Sequence, residues 1–213
     1  MDYIYNLIPS MLDGLNTTMQ IFLITALLSI PLGVIVSITR ISKLQILNKI
    51  VQLYIWVMRG TPLLLQLIFI FFGLPVVGIT FDRYTAAIIA FVLNYSAYFA
   101  EIFRSGIEGI DKGQYEAAEV LGLTRFKTFI RIILPQVIKR TLPPISNEVI
   151  TLVKDTSLVY VVGLGELLRA GKIASNRDAT LTPLIVVGIF YLVITAVLTK
   201  FFKVFEEKYS YYN

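Results

Sequence analysis

Long apolar runs alternate with short polar stretches along the whole chain. The runs cover residues 18–38, 53–72, 84–103, about 143–163, and 183–202. Each run has close to the roughly 20 residues that an α-helix needs to cross a bilayer. The pattern therefore predicts an all-α polytopic membrane protein with five transmembrane helices, which form a single domain over residues 1–213.

Two segments depart from this regular alternation. Residues 1–16 mix apolar and polar side chains over a short distance, which predicts an amphipathic segment at the membrane interface. The second apolar run is interrupted by Arg59-Gly60-Thr61-Pro62. Gly60 and Pro62 loosen a helix and free backbone groups at membrane depth, which is tolerated only beside a cavity or buried protein.

The composition agrees with a membrane protein, because 56% of the residues are hydrophobic and only 15% are charged. A soluble domain carries about a quarter charged residues. The chain has no Cys and no His, which excludes disulfides, thiol nucleophiles, His-based acid–base catalysis and most zinc or haem sites. We therefore expect no metal site and no cofactor in this chain.

The basic residues predict how the chain is oriented. The net charge is +5, but Lys and Arg are spread over several loops, which argues against nucleic-acid binding and for the cytoplasmic enrichment of basic residues in membrane proteins. One side of the predicted topology holds Arg40, Lys43, Lys49, Lys112, Arg125, Lys127, Arg131, Lys139, Arg140, Lys200, Lys203 and Lys208, and the other holds Arg83, Arg169, Lys172 and Arg177. The richer side is cytoplasmic, so we expect the amino terminus outside and the carboxy terminus inside.

The longest polar stretch, at about residues 104–140, falls on the cytoplasmic side and has an ordered pattern. Residues 114–121 predict a short helix that Gly122 ends, and Thr124 caps a second helix that Pro135 ends or bends. Two short helices at an angle form a rigid knob that is suited to docking a soluble partner. An amphipathic loop that rests on lipid headgroups is the alternative.

The spacing in this loop resembles a known family motif. Glu116-Ala117-Ala118, then Gly122, then Ile132-x-Leu134-Pro135 match the EAA loop of ATP-binding-cassette (ABC) importer permeases without a gap. Residues 58–64, 94–101 and 154–158 resemble further signatures of the polar-amino-acid branch of these permeases. The resemblance extends along nearly the whole chain.

This resemblance implies a fold, a location and a set of partners. The fold would be that of type I ABC importer permeases in the bacterial cytoplasmic membrane, with cytoplasmic coupling helices between the third and fourth spans. The partners would be two cytoplasmic ATPase subunits that bind ATP and Mg, a second permease subunit (a second copy or a paralogue) and an extracytoplasmic amino-acid-binding protein. The chain itself has no G-x-x-x-x-G-K-[ST] phosphate loop, so we expect ATP hydrolysis by the partner.

Polar residues inside the apolar runs are candidates for lining the pathway, because charges within membrane spans usually face a cavity or a partner. Asn94, Tyr98 and Glu101 are spaced i, i+4 and i+7 and therefore share one helix face. The predicted substrate-binding set is Asn94, Tyr98, Glu101, Asp155, Thr156, Ser157, Arg59 and Thr61. The deep acidic residues suggest a cationic amino acid, although the α-ammonium group of any amino acid also needs a carboxylate.

Two basic residues in these runs have more than one interpretation. Arg59 either binds a substrate carboxylate, pairs permanently with Glu101 or Asp155, or extends to the cytoplasmic surface. Lys154 fits a structural or interface partner better than a ligand contact.

Three other functions are compatible with a polytopic chain. An ion-coupled secondary carrier would explain the intramembrane carboxylates but not the patterned loop, and five spans without a repeat are few for such a carrier. A channel or structural subunit would show no saturable solute uptake. A membrane-embedded enzyme is disfavoured because no catalytic set is recognisable.

Overall fold

The computed structural model describes residues 2–209, and all regular secondary structure in that range is helical. The α-helices are α1 (Asp2–Ile41), α2 (Gln45–Gly60), α3 (Leu63–Ile68), α4 (Arg83–Glu108), α5 (Lys112–Val120), α6 (Arg125–Thr128), α7 (Leu134–Asp155), α8 (Leu167–Asp178) and α9 (Thr182–Tyr209). A π-helical turn (Phe69–Gly73) and a 3₁₀ turn (Leu74–Val77) extend α3. Another π turn (Phe129–Ile133) joins α6 to α7, and a 3₁₀ segment (Thr156–Val162) follows α7.

Several of these helices are long and apolar enough to cross a membrane. Within residues 2–209 these are α1, α4 and α9, and α2 forms with Leu63–Val77 a further pair that is bent by 105°. The multi-pass architecture is thus confirmed. The remaining predicted span corresponds to α7, which carries Glu148, Lys154 and Asp155 along with its apolar positions, so the number five stays a prediction.

Helix α1 differs from the expected N-terminal arrangement. The sequence predicts a separate amphipathic segment before the first span, whereas residues 2–41 form one unbroken helix that includes Pro9 and Pro31. Leu7 and Met11, one helical turn apart, are buried in a cluster with Leu167 on α8 and Val187 on α9. Because their apolar face continues that of the span, packing against α8 and α9 extends the helix in the N-terminal direction.

Helix α4 lies at the centre of the molecule and contacts α1, α2, α3 and α7. Asp82 caps its first turn by accepting hydrogen bonds from the backbone N–H groups of Tyr84 and Thr85. Its Phe91, Tyr95 and Phe99 side chains are almost completely buried in the main core. This position makes α4 the scaffold on which the other helices are arranged.

Helices α1 and α4 approach closely because small residues line the α1 face. Thr25, Ser29 and Ser37 are buried there, and Gly33 lies against α4. A Cβ atom on Gly33 would come within 2.7 Å of the Phe99 Cβ atom and 3.2 Å of backbone atoms of α4. Small residues serve this purpose in membrane helices, where van der Waals packing rather than hydrophobic burial drives association.

The polar loop after α4 contains the two expected short helices, α5 and α6. Pro135 does not end the second one, because the chain continues through the π turn into α7, and Pro143 and Pro144 lie inside α7. In the π turn, the Leu134 N–H donates to the Phe129 carbonyl five residues back, a wider turn than the α-helical four. The second half of the polar loop and the predicted fourth span therefore form one uninterrupted helical segment.

The contact between α1 and α4 gives a stability prediction. Gly33→Ala should destabilise the purified protein by about 1–3 kcal/mol, because the new methyl group meets backbone that cannot yield without separating the helices. Gly188→Ala on α9 is the matched control, since a Cβ atom there meets nothing within 4 Å. Thermal denaturation in detergent measures both variants. Equal stability of the two variants would show that the close approach is unimportant.

Candidate functional site

Two cavities with polar and charged side chains in their walls are both lined by Tyr98 on α4. The larger, of about 470 Å³, is bounded by Thr61, Asn94, Tyr95, Glu148, Thr151 and Asp155 among others. The smaller, of about 400 Å³, is bounded by Arg40, Gln52, Trp56, Arg59 and Glu101 among others. The structure thus brings six of the predicted substrate-binding residues to these cavities: Arg59, Thr61, Asn94, Tyr98, Glu101 and Asp155.

The break between α2 and α3 borders these cavities, and side chains satisfy the backbone groups that it frees. Gln66 donates from its Nε2 atom to the carbonyl oxygens of Met58 (2.9 Å) and Thr61 (3.2 Å) and to the Thr61 hydroxyl (2.8 Å). Asn94 donates to the Met58 carbonyl (2.9 Å) and to Gln66 Oε1 (3.1 Å). The Asn94 amide therefore holds the bend in place, and its carbonyl oxygen is the group left for a ligand.

Arg59 contacts the aromatic ring of Tyr98 and forms no ion pair with Glu101 or Asp155, the two carboxylates that the sequence offered as partners. Its guanidinium lies 5.3 Å from the centre of the Tyr98 ring, a cation–π arrangement. Glu101 instead forms an ion pair with Arg104 one turn along α4, and Arg104 also contacts Glu108. Glu101 therefore presents a carboxylate that is already partly neutralised.

Glu148 is an acidic residue of the larger cavity that was not among the predicted substrate-binding residues. Glu148, Thr151 and Asp155 line the larger cavity together, at positions i, i+3 and i+7 of α7. Asp155 accepts a 2.8 Å hydrogen bond from the Tyr95 hydroxyl. The signal that would have found Glu148 is the spacing that identified Asn94, Tyr98 and Glu101 on α4. Two helices thus present polar stripes to one space.

Two predicted residues are not brought to either cavity. Thr156 is fully buried and its hydroxyl donates to the Val153 carbonyl at 2.7 Å, so it closes the turn at the end of α7. Ser157 lines neither cavity. Thr156 and Ser157 follow Asp155 by one and two positions, which is about 100° and 200° around a helix, so neither shares the face that carries Asp155. Lys154 is exposed on the outside of α7.

The polar loop between α4 and α7 holds its predicted coupling residues in two groups, one at its tip and one at its base. At the tip, Glu116 and Ala117 are exposed on α5, while Ala118 is buried. Gly122 adopts a left-handed conformation with φ +70°, and the Leu123 N–H donates to the Ala118 carbonyl at 3.0 Å to close the helix end. Glycine adopts this left-handed conformation at little free-energy cost, whereas a residue with a Cβ atom would be strained there.

At the base, Ile132 packs on a small core that contains Ile110, Ile133 and Val137, and Leu134 and Pro135 are partly buried beside it. The tip also carries three apolar side chains that were not among the predicted coupling residues. Val120, Leu121 and Phe126 are 88%, 76% and 75% exposed. Exposed apolar side chains grouped in this way are typical of a contact with a protein or with a membrane.

Comparison with known proteins identifies the family. Residues 8–211 match the family described as "binding-protein-dependent transport system inner membrane component". This chain belongs to that family of permeases.

Curated relatives cover nearly the full length of the chain. The arginine transport system permease protein ArtQ of Bacillus subtilis is 42% identical over 94% of this chain and 93% of its own length. The L-cystine permease TcyB of the same organism is 36% identical over 96% and 88%. The glutamine permease GlnP of Escherichia coli is 37% identical over 96% and 95%. The chain is therefore a membrane permease subunit of an amino-acid ABC importer.

Solved structures agree with this assignment. An amino acid ABC transporter crystallised with histidines superposes with a TM-score of 0.90 at 33% identity, over 97% of each chain. The methionine ABC transporter MetNI superposes with a TM-score of 0.76 at 18% identity, which supports the fold alone. A permease of this family is a transporter component without its own ATPase, and it works with ABC ATPases and a binding protein.

The bend between α2 and α3 gives a second stability prediction. Gln66→Met keeps the side-chain length but removes three donated hydrogen bonds, so it should cost about 1–3 kcal/mol and make the bend more accessible to proteolysis. Gln52→Met on α2 is the control, because Gln52 is exposed and makes none of these bonds. Thermal denaturation and limited proteolysis test both, and an unchanged Gln66→Met would contradict the role of Gln66 in the bend.

Proposed function

We propose that this permease forms the translocation pathway of an ATP-driven importer for polar amino acids, with a preference for cationic ones. The observation that carries the preference is the larger cavity, where Glu148 and Asp155 face the same space and no Lys or Arg is among the lining residues. A guanidinium or ammonium side chain entering this cavity would gain charge-assisted hydrogen bonds to these carboxylates.

Other features of the two cavities support an amino-acid ligand, whether its side chain is cationic or neutral. Asn94 offers a carbonyl oxygen, Thr61 and Thr151 offer hydroxyl groups, and the Tyr98 ring offers a face to a cation. Arg59, which already occupies one side of Tyr98, is placed to meet a substrate carboxylate in the smaller cavity. The relatives named for arginine, cystine and glutamine have comparable identity to this chain, so the acidic pair rather than kinship supports a cationic substrate.

The proposed topology has five spans, with α7 as the fourth and the bent pair α2 and α3 as the second. Support for α7 comes from its packing between α4 and α9, both of which are apolar enough to cross the membrane. The basic residues favour an amino terminus outside and a carboxy terminus inside the bacterial cytoplasmic membrane. The carboxylates of Glu148 and Asp155 are then sheltered from lipid because they face the cavity.

The proposed coupling element is the loop from α5 to the start of α7. Its partner is a cytoplasmic ATPase that binds ATP and Mg, neither of which we assign to this chain. Val120, Leu121 and Phe126 provide the apolar contact, and Glu116 adds a charged group beside it. Because α6, the π turn and α7 are continuous, a displacement of the tip is carried directly to Glu148 and Asp155.

Transport then follows an alternating-access scheme. Two permease subunits, either two copies of this chain or this chain with a paralogue, enclose the pathway. The binding protein and the ATPases shift the equilibrium of this pair between its outward-open and inward-open states. The energy comes from the different affinities of these partners for the two states. An ion-coupled carrier is not favoured, because the matching family consists of binding-protein-dependent systems.

The function is tested by reconstituting the permease with its ATPase and binding protein in proteoliposomes. We expect arginine, lysine or histidine to stimulate ATP turnover and to accumulate inside. Uptake driven by an ion gradient without ATP would refute the proposal.

The substrate site is tested by direct binding of labelled arginine to the purified permease–ATPase complex without binding protein. Glu148→Gln should weaken arginine binding about tenfold, since a hydrogen bond to a charged group contributes about 1.5–3 kcal/mol. Binding of glutamine, which lacks the side-chain charge, should change by less than threefold. An equal loss for both ligands would mean that Glu148 does not recognise the side-chain charge.

The coupling loop is tested by paired glycine substitutions. Gly122→Asp should lower transport per ATP hydrolysed several-fold, because it strains the turn that positions the tip. Gly78→Asp is the control: Gly78 has a similar φ of +84°, also meets nothing within 4 Å, and lies in the connector at the opposite end of the bundle. Normal coupling in Gly122→Asp with intact complex assembly would contradict the proposed role of this loop.

A further inference from the structure

Two arginine side chains converge on Gly163, at the end of the bundle away from the coupling loop. A Cβ atom on Gly163 would lie 3.4 Å from Arg169 Nη1 and 3.4 Å from Arg83 Nε. The two nitrogen atoms are therefore at most about 7 Å apart, since each is 3.4 Å from the same point. Arg83 begins α4, whose other end leads into the coupling loop. The surface around Gly163 and the coupling loop are thus separated by the length of α4.

A third cation lies next to this pair. Lys172, nearly one turn after Arg169 on α8, places its Nζ atom 4.2 Å from the centre of the Tyr160 ring. Tyr160 belongs to the 3₁₀ segment that ends just before Gly163. We call Arg83, Arg169 and Lys172 the outer cationic cluster. Arg83 and Lys172 are exposed and Arg169 is partly exposed, so a partner in solution can reach all three.

The outer cationic cluster forms no ion pair within the described part of the chain, and the buried Glu166 carboxylate acts on Arg169 only through a longer-range electrostatic interaction. Like charges at these distances repel one another, and none of the three residues has a carboxylate oxygen within 4.0 Å in residues 2–209. Arg83 and Arg169 also lie in the first turns of α4 and α8, where the helix dipole is positive and disfavours a cation.

The nearby carboxylates are occupied elsewhere. Asp82 accepts hydrogen bonds from Thr85 Oγ1 and from two backbone N–H groups of α4, which lower its pKa below the usual range. Glu166 is fully buried and caps α8 through the N–H groups of Leu168 and Arg169.

Two further acidic residues lie on the same side of the bundle. Asp178 is bonded to Arg177 and to the Tyr3 hydroxyl, which lower its pKa to about 2. Asp13 lines a crevice with Arg169 but forms no ion pair with it. The outer cationic cluster is therefore left with its positive charge directed at the solvent.

We propose that the outer cationic cluster is a docking site for carboxylate side chains of the extracytoplasmic binding protein. The inference rests on the proposed function, in particular on the orientation that places α4's first turn outside. Only four basic residues were assigned to that side, and three of them are gathered here, against the general depletion of Lys and Arg outside the membrane. Guanidinium groups bind carboxylates in a bidentate manner, which gives both affinity and orientation.

A protein partner fits this position better than a lipid headgroup. Val159 and Val162, in the 3₁₀ segment before Gly163, are buried in the main core of the bundle, and Tyr84, next to Arg83, packs against the same core. The outer cationic cluster therefore lies over the interior of the bundle rather than on its lipid-facing rim. Asp155 lines the larger cavity, and the 3₁₀ segment Thr156–Val162 follows it. A partner docked on the outer cationic cluster covers the outer end of this segment.

The test uses the permease–ATPase complex in nanodiscs and the binding protein that stimulates the wild-type complex. The half-saturating concentration of liganded binding protein for ATPase stimulation should rise about tenfold in the double variant R83Q/R169Q, with the maximal rate unchanged. Stimulation should also become less sensitive to salt, because fewer charge pairs form. R177Q is the control, since Arg177 lies on the same helix but is bonded to Asp178, and it should change the half-saturating concentration less than twofold.

Further arms separate the other outcomes. R83K/R169K retains the charge and should recover much of the lost affinity, which distinguishes docking from a folding defect. A half-saturating concentration within twofold of wild type in R83Q/R169Q would overturn the inference. So would weaker binding of free arginine in the absence of binding protein, or a defect that depends on the phosphatidylglycerol content of the nanodisc. A wild-type complex that no binding protein stimulates would instead refute the proposed function.

Discussion

The pathway of this permease depends on one constraint: no backbone polar group can be left without a partner at membrane depth. The chain breaks a span between Gly60 and Pro62 and opens a cavity there, which frees carbonyl groups of Met58 and Thr61. Gln66 and Asn94 supply the missing donors from the next turn and from α4. The same two amides therefore permit the bend and fix its position relative to Tyr98, so the shape of the cavity and the stability of the fold have a common origin.

Rigidity elsewhere gives this constraint its functional consequence. The close contact of α1 with α4 at Gly33 makes α4 a fixed reference for the cavities. Helix α7 is continuous with the loop that carries Val120 and Phe126 on its exposed tip, and α4 leads into the same loop after Glu108. Because α1 holds α4 in addition, the proposed coupling scheme has a force on the loop displace the α7 wall, where Glu148 and Asp155 are, more than the α4 wall.

The sequence predicted the helical class, the polar face of α4 and the loop helices, because these follow from local periodicity and capping. It did not predict the continuity of α1, since the burial of Leu7 and Met11 depends on α8 and α9, which are distant in the chain. The π turn at Phe129–Ile133 accommodates Pro135 in a way that proline rules alone do not anticipate. Glu148 had a readable spacing with Asp155, and the same periodicity places Thr156 and Ser157, one and two positions after Asp155, on other faces of the helix.

The distribution of charge along the proposed pathway has a further physical meaning. The outer end carries Arg83, Arg169 and Lys172, and the larger cavity carries Glu148 and Asp155. A free cationic amino acid that approaches the bare permease is repelled before it reaches the carboxylates that attract it. If carboxylates of a docked partner neutralise the outer cluster, that barrier is lowered only while the partner is bound. A docked binding protein would then both deliver the substrate and lower the electrostatic barrier to its entry. Without the binding protein, the outer cationic cluster would keep other cations from entering the acidic cavity.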